Sequence, residues 1–217
     1  MFVACWSAKG GSGTTVVAVS LATLLARPSG RSLVVDLAGD VPAVLGLPEP
    51  TGAGVLDWLA AGDAVPADAM ARLEITGPAG VRVVPRGESR ESEIAGGRGD
   101  VLAALLASDP RPVVVDCGSQ PTGAALAIAA SASVSLLVLR PCYLALRRAA
   151  AFPLRPSGVV LVQDVDRRLT SADVESVLGV PVRAVVAVDP AIAVAVDTGS
   201  LADHLPRRLQ RSLRRAA

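Results

Sequence analysis

The sequence predicts an α/β fold: one domain, residues 1–217, with a doubly wound, mainly parallel sheet flanked by helices. Apolar runs of strand length alternate with stretches of helical character, which is typical of βαβ units. Several of these runs are apolar at every position, as expected of strands that are covered on both faces. Hydrophobic residues make up 51% of the chain and aromatic residues only 2%, so the core is expected to be aliphatic.

Each element of this fold is predicted from an apolar run and the residues that interrupt it. The predicted strands are residues 2–6, 32–36, 81–84, 112–116, 134–139, 158–162 and 182–188. The predicted helices are residues 14–26, 53–60, 98–107, 122–131, 143–151, 170–178 and 203–216. Pro28 and Gly30 are expected to end the first helix. Residues 39–52 and 86–99, rich in glycine, proline or charge, are expected to be exposed loops.

Composition excludes several classes of function. The net charge of +1 gives no global field that would recruit nucleic acid or anionic lipid, so such a partner would need a local patch. Cys5, Cys117 and Cys142 lack a CxxC spacing and lie in or beside apolar runs, which predicts reduced, buried thiols. No signal peptide and no membrane-spanning run of about 20 apolar residues is visible, which predicts a cytoplasmic protein.

The first predicted strand and helix are joined by a glycine-rich loop that follows the only lysine of the chain, Lys9. The loop reads Gly10-Gly11-Ser12-Gly13-Thr14-Thr15. A glycine loop between a strand and a helix is the setting in which backbone N–H groups and a helix N-terminus bind phosphate. The usual loop, G-x-x-x-x-G-K-[ST], has lysine where this chain has Thr14.

Other candidate residues follow the later strands, because ligands of open α/β sheets bind beyond the carboxyl ends of the strands. A magnesium-bound nucleotide needs a hydroxyl ligand for the metal and a carboxylate that holds it through water, and Thr15 and Asp116 fit these needs. The remaining polar residues at strand ends are Asp36, Arg140, Gln163 and Asp189.

At this point the chain resembles a known family. The run from Lys9 to Thr15 resembles the deviant phosphate loop K-G-G-x-G-K-[ST] of the ParA/MinD family of dimerising ATPases, whose fold is that of P-loop NTPases. Leu33–Asp36 and Val113–Asp116 resemble its two switch strands. The resemblance continues through residues 158–163 and 186–190, so it extends over nearly the whole chain.

The resemblance implies ATP and Mg²⁺ as ligands and a homodimer as the working state. Lys9 would be the signature lysine, which contacts phosphate in its own subunit or reaches across the two-fold axis to the partner's nucleotide. Thr15 and Asp116 would hold the metal, the latter through water. The residues assigned to the nucleotide are Lys9, Gly10, Gly11, Ser12, Gly13, Thr14, Thr15, Gln163 and Asp189, and those assigned to catalysis are Lys9, Asp36 and Asp40.

Two departures from the family pattern predict very slow hydrolysis or none. Thr14 replaces the loop lysine that contacts the β- and γ-phosphates, and Ala38 replaces the aspartate that positions the attacking water. Asp40 can serve in place of Ala38 only if its loop is rearranged. Losing such a group commonly costs on the order of 10²–10³ in rate. Gln163 stands at the base-reading position, which is often Asn in the family.

A degenerate loop is most similar to that of the CpaE/TadZ branch, which places pilus or secretion machinery. The leading expectation is therefore an ATP-binding, dimerising positioning protein with a partner in a secretion, localisation or cell-division system. A pseudo-ATPase interaction module that needs no nucleotide is one alternative. The other is an active chromosome- or plasmid-partitioning ATPase that binds DNA non-specifically.

The C-terminal segment bears on the last alternative. Leu201, Leu205, Leu209 and Leu213 fall on one helical arc, and arginines occupy the opposite arc. These arginines are Arg207, Arg208, Arg211, Arg214 and Arg215. The expected structure is a final helix docked on the sheet with a solvated basic face, and DNA phosphates are the alternative partner of that face. Binding to a membrane surface is not expected.

Overall fold

Eight strands form one sheet in the computed structural model, which describes residues 1–62, 65–66, 68–164 and 168–216. The strands are β1 (Phe2–Ser7), β2 (Ser32–Asp36), β3 (Ile75–Thr76), β4 (Val81–Val84), β5 (Val113–Ser119), β6 (Val134–Leu139), β7 (Gly158–Gln163) and β8 (Val182–Ala187). Their order across the sheet is β3-β4-β2-β5-β1-β6-β7-β8. All neighbours are parallel except the short edge pair β3 and β4. The predicted fold class is confirmed.

Helices cover the sheet, and every helix predicted from the sequence is present with shifted ends. The helices are α1 (Thr14–Ser29), α2 (Val41–Val44), α3 (Val55–Ala60), α4 (Ala69–Arg72), α5 (Arg98–Ser108), α6 (Gly123–Ser131), α7 (Tyr143–Ala150), α8 (Ser171–Leu178), α9 (Pro190–Asp197) and α10 (Arg207–Leu213). None of those in the described part of the chain is long and apolar enough to cross a bilayer.

The end of α1 corrects one expectation. Pro28 lies inside the last turn of this helix instead of ending it. Its fixed φ is compatible with a helix, and only one backbone hydrogen bond is lost. The helix ends at Gly30, which has φ 74° and so adopts the left-handed conformation that stops helices.

Two aliphatic layers cover the opposite faces of the sheet. Along β1, Phe2 and Trp6 pack into one layer and Val3 and Cys5 into the other, as the two-residue repeat of a strand requires. The described cysteines are free thiols, with Cys5 and Cys117 buried and Cys142 partly exposed.

The chain between β2 and α3 departs from the predicted loop. Within residues 39–52, α2 buries Val41, Pro42 and Val44, and the two valines pack into the layer that contains Val3 and Cys5. The segment 86–99 is mostly exposed, but Arg98 begins α5 and is buried. Helix α9 was not predicted, because its residues alternate small and apolar side chains without a polar face.

The C-terminal segment docks as expected, although its helix begins later, at Arg207. Leu201, Leu205, Leu209 and Leu213 are all buried in the second layer. The five arginines Arg207, Arg208, Arg211, Arg214 and Arg215 are exposed.

We expect Leu209→Ala to lower the free energy of unfolding by about 2–4 kcal/mol, because Leu209 is 1% exposed and its loss leaves a cavity between α10 and the sheet. Arg211→Ala, on the exposed side of the same helix, is the matched control and should change stability by no more than about 0.5 kcal/mol. Urea unfolding followed by circular dichroism measures both. Equal effects of the two substitutions would contradict the docked helix.

Candidate functional site

A cleft of about 690 Å³ opens at the carboxyl edge of the sheet, within the range of roughly 300–1,000 Å³ found for ligand sites. Its walls are the loop after β1, the loop after β2, the loop after β4 and the end of β5. The structure brings residues 10–15 and Asp40 together on these walls, as the strand-end rule leads one to expect.

The glycine loop is shaped by backbone conformation. Gly11 and Gly13 have φ of 75° and 86°, a region that side chains with a Cβ rarely adopt. A Cβ at either position would meet no described atom within 4 Å, so the requirement is conformational and not steric. The Ser12 hydroxyl donates a hydrogen bond of 2.8 Å to the Lys9 carbonyl and closes the loop.

The N-terminus of α1 faces this cleft without a side-chain cap. Gly13 is the N-cap residue, and the first turn carries no acidic residue. Thr14, Thr15 and Val16 line the cleft at this end of the helix. The first N–H groups of a helix have no partner within the helix and carry a partial positive charge, so this end suits an anion.

Asp36 at the end of β2 is a buried carboxylate that organises the next loop. Its Oδ1 accepts hydrogen bonds from the N–H groups of Ala38 (3.0 Å) and Gly39 (2.7 Å), and its Oδ2 accepts one from Val41 (3.0 Å). Burial raises the pKa of Asp36 to about 7, with the charge of Asp116 adding to the rise and the backbone hydrogen bonds opposing it. Asp36 thus shapes the cleft from below and does not line it.

Asp116 pairs with Asp36 across β5 and β2 and is equally buried. Its Oδ1 accepts a hydrogen bond of 3.0 Å from the Gly118 N–H. Its Oδ2 is buried and has no hydrogen-bond partner among the described residues. Burial raises the pKa of Asp116. The Thr15 hydroxyl lies near enough to favour the charged carboxylate and so opposes this rise, but it makes no hydrogen bond with Oδ2. An orphaned carboxylate oxygen beside a hydroxyl fits a site for a hydrated Mg²⁺ ion.

Within the described ranges, no group of three or more His, Cys, Asp or Glu side chains is arranged to hold a metal by itself. Magnesium typically keeps several waters and takes only one or two protein ligands together with substrate phosphates. The pair Thr15 and Asp116 therefore suits a metal that arrives with a phosphate ligand.

Lys9 and Asp40 differ from the residues below the cleft in being accessible. Lys9 is partly exposed, and in the part of the chain that the structure describes its side chain makes no hydrogen bond or ion pair. It lies beside the cleft and is not part of its wall. Asp40 is exposed on the wall, beside Ala38, whose side chain offers no polar atom.

Asp189 and Gln163 lie away from the cleft. Asp189 caps α9 by accepting a hydrogen bond of 2.9 Å from the Ala191 N–H. It lines a second, apolar pocket of about 300 Å³ that shares Gly13 and Val16 with the cleft. The Gln163 amide instead donates to the Leu169 carbonyl at 3.3 Å and lines neither space. Arg140 is also engaged elsewhere, in an ion pair of 2.8 Å with Asp164.

Sequence reasoning missed four polar residues of the cleft wall: Ser7, Arg86, Glu91 and Ser119. Arg86 and Glu91 belong to the segment assigned to an exposed loop. The strand-end rule could have found Arg86, because it follows β4 by two residues. The buried Ser7 hydroxyl, at the end of β1, makes no hydrogen bond with a described residue.

The raised pKa of Asp36 predicts a pH-dependent stability. The native state retains a proton that the unfolded chain, with a pKa near 3.8, has released, so the free energy of unfolding should fall between pH 5 and pH 7. The slope contributed by this group approaches ~1.4 kcal/mol per pH unit. Asp116 acts in the same direction. Urea titrations at several pH values measure the slope, and Asp36→Asn should reduce it. Stability that stays constant or rises over this window would contradict the assignment.

Comparison with known proteins shows which structures share this fold. No protein-family model and no curated protein matches the chain. Among solved structures, a ParA family ATPase from Chlorobium tepidum is 20% identical with a TM-score of 0.76, over 97% of this chain and 95% of that one. MinD of Pyrococcus horikoshii in complex with Mg-ADP is 20% identical with a TM-score of 0.76, over 97% of this chain and 91% of that one. An ATP complex of a substituted Cyanothece McdA is 17% identical with a TM-score of 0.71, over 99% of this chain and 94% of that one.

These structures superpose on nearly the whole of this chain, at identities that speak for the fold alone. The chain therefore has the fold seen in the ParA/MinD ATPases.

Proposed function

We propose that this chain is an ATP-binding, dimerising positioning or scaffold protein of the ParA/MinD type that hydrolyses ATP weakly or not at all. The observation that supports this most is the buried Asp116 Oδ2, which lacks a partner among the described residues and lies beside Thr15 at the uncapped start of α1. A protein that had abandoned its metal and nucleotide would gain stability by replacing such an atom.

In this proposal the backbone N–H groups of residues 10–15 and the N-terminus of α1 bind the phosphates. Thr15 ligates Mg²⁺ and Asp116 holds it through water. When bound, the metal would neutralise phosphate charge. This chain has Thr14 and no lysine at that position to share the task. The pair of MinD with Mg-ADP and McdA with ATP among the structural neighbours supports these ligands.

The apolar pocket beside Gly13 is the space we assign to the base. It is enclosed mainly by aliphatic side chains of β8 and α9, and Asp189 and Asp197 are the acidic residues in its lining. Apolar walls with a small number of polar groups suit the face and edge of a purine. Gln163 would join this site only after leaving the Leu169 carbonyl.

Two features of the cleft support slow turnover. Thr14 is 8% exposed and uncharged, so it supplies no cation for charge that develops on the transferred phosphate. Ala38 has no side-chain group that could position a water, and Asp36 fixes its backbone. Asp40 and Glu91 are the acidic residues that line the cleft. These features favour a protein that uses ATP as a switch for assembly.

The dimer and the biological setting are part of the proposal. Lys9, partly exposed and without a partner among the described residues, is free to contact phosphate in its own subunit or across a two-fold interface. We place the protein with the CpaE/TadZ branch, as a factor that positions pilus, secretion or division machinery. Two alternatives keep support of their own. The loss of lysine at position 14 favours a pseudo-ATPase module, and the exposed arginines of α10 favour a DNA-binding partitioning ATPase.

Calorimetry with ATP and Mg²⁺ tests the proposal. We expect binding by the wild type that Thr15→Val weakens at least about tenfold, because the metal loses a ligand and a charge-assisted contact. Thr23→Val is the matched control on the same helix, since its hydroxyl only bonds the Val19 carbonyl at 2.8 Å, and it should bind like the wild type. No binding at millimolar ATP would overturn the proposal in favour of the pseudo-ATPase module.

The role of Lys9 has a separate test. If Lys9 reaches the partner's nucleotide, Lys9→Ala should abolish the dimer that ATP and Mg²⁺ induce, as measured by light scattering, whereas the monomer's thermal stability should be unchanged because the side chain has no described contact to lose. A dimer that forms equally well in the variant would refute the contact across the interface.

A further inference from the structure

We propose that Arg86 is a phosphate-binding residue of this site and supplies, from the opposite wall of the cleft, the cation that position 14 lacks. The inference rests on the proposed function and adds a residue to it. The ligand it would recognise is the terminal phosphate of a nucleoside triphosphate.

The position of Arg86 places its side chain in the cleft. Arg86 follows β4, and its side chain lines the same wall as Ala38 and Asp40. The side chain also packs closely against Gly39: a Cβ built on Gly39 would lie 3.2 Å from Arg86 Cδ. The arginine therefore contacts the loop that Asp36 shapes, across the cleft from the glycine loop.

The guanidinium of Arg86 is unusual among the arginines of the sheet. Arg82 and Arg111 share Glu74 in ion pairs, and Arg140 pairs with Asp164. The Arg86 guanidinium makes no hydrogen bond or ion pair with any residue that the structure describes. A partly buried guanidinium with five donors and no acceptor is suited to a planar, bidentate contact with phosphate.

The backbone that carries Arg86 is held on both sides. The carbonyls of Pro85 and Arg86 accept hydrogen bonds from the N–H groups of Val55 (2.8 Å) and Leu56 (2.9 Å) at the start of α3. Gly54 allows this approach, because a Cβ there would lie 2.3 Å from the Pro85 carbonyl oxygen. This contact joins the loop after β4 to a helix instead of leaving it in solvent.

Asp57 holds the same loop through Glu88 and Ser89, which follow Arg86. Its carboxylate accepts hydrogen bonds from the backbone N–H groups of Gly54 (2.7 Å), Glu88 (3.1 Å) and Ser89 (3.1 Å), and from the Ser89 hydroxyl (2.7 Å). Burial raises the pKa of Asp57, but these hydrogen bonds outweigh it and hold the pKa below its usual value. Arg86 is thus presented on a preorganised support, which lowers the entropy cost of binding.

The sheet order indicates which phosphate Arg86 would meet. The apolar pocket lies at β8, and the glycine loop follows β1 near the middle of the sheet. Arg86 follows β4, on the far side of β1 from that pocket. A nucleotide with its base in the pocket and its phosphates along the loop would direct its last phosphate toward this side. Arg86 should therefore distinguish a triphosphate from a diphosphate.

The other charged groups on this wall are acidic. Asp40 is exposed, and Glu91 accepts a hydrogen bond of 3.2 Å from the Thr122 hydroxyl. Without Arg86 the wall would carry only these two carboxylates, which repel a phosphate. Arg86 is therefore the charged residue in this lining that attracts a terminal phosphate.

The test is calorimetry with ATP and with ADP, each with Mg²⁺, on the wild type, Arg86→Ala and Arg86→Lys. We expect Arg86→Ala to weaken ATP binding at least about tenfold, which is the loss expected for one charged hydrogen-bond donor. ADP binding should weaken less than about threefold, because ADP lacks the terminal phosphate. Arg86→Lys should restore part of the ATP affinity. Arg31→Ala is the matched control, because Arg31 is exposed just before β2, at the opposite end of the sheet, and its removal should change neither affinity.

The outcomes separate the two claims. A wild type that binds ATP with an Arg86→Ala variant of equal affinity, or an equal loss for ATP and ADP, would overturn the role of Arg86 and leave the proposed function standing. A wild type that binds neither nucleotide would overturn the proposed function itself, and the role of Arg86 with it. Matching melting temperatures of the variants show that an affinity change is not a folding defect.

Discussion

Two carboxylates buried side by side at the carboxyl edge of the sheet constrain the rest of this structure. Asp36 and Asp116 are register partners on β2 and β5, and burial raises the pKa of both. Asp36 is satisfied by three backbone N–H groups and so shapes a loop. Asp116 keeps one oxygen without a described partner. The arrangement costs stability near neutral pH and is understandable if a metal-bound phosphate occupies the cleft above it.

In the proposed function, the cleft retains nucleotide binding while lacking groups for turnover. Its anion-binding parts are backbone features: the left-handed glycines of the loop and the uncapped N-terminus of α1. These do not depend on the residue at position 14. By the same proposal, the side chains that would accelerate hydrolysis are the ones replaced, by Thr14 and Ala38. In our account Arg86 restores a cation for affinity, from a loop that α3 and Asp57 hold in place.

Sequence reasoning succeeded where the signal is local. The glycine loop, the apolar strands and the carboxylates at strand ends can be recognised from neighbouring residues, and the structure places them at one edge. The strand-end rule can point to Arg86, but the conformation of its loop depends on Asp57, which is 31 residues from its partner Glu88. The same holds for Gln163, whose amide is taken by the Leu169 carbonyl. Such pairings are properties of the folded chain.

Binding of Mn²⁺, a paramagnetic substitute for Mg²⁺, tests the central claim most directly. Electron paramagnetic resonance should show Mn²⁺ bound to the wild type only when ATP is present. Asp116→Asn, which keeps the size of the side chain and removes its charge, should weaken that binding at least about tenfold. Mn²⁺ binding that is unchanged in the variant, or absent from the wild type with ATP, would contradict the account of Asp116 as the anchor of the site.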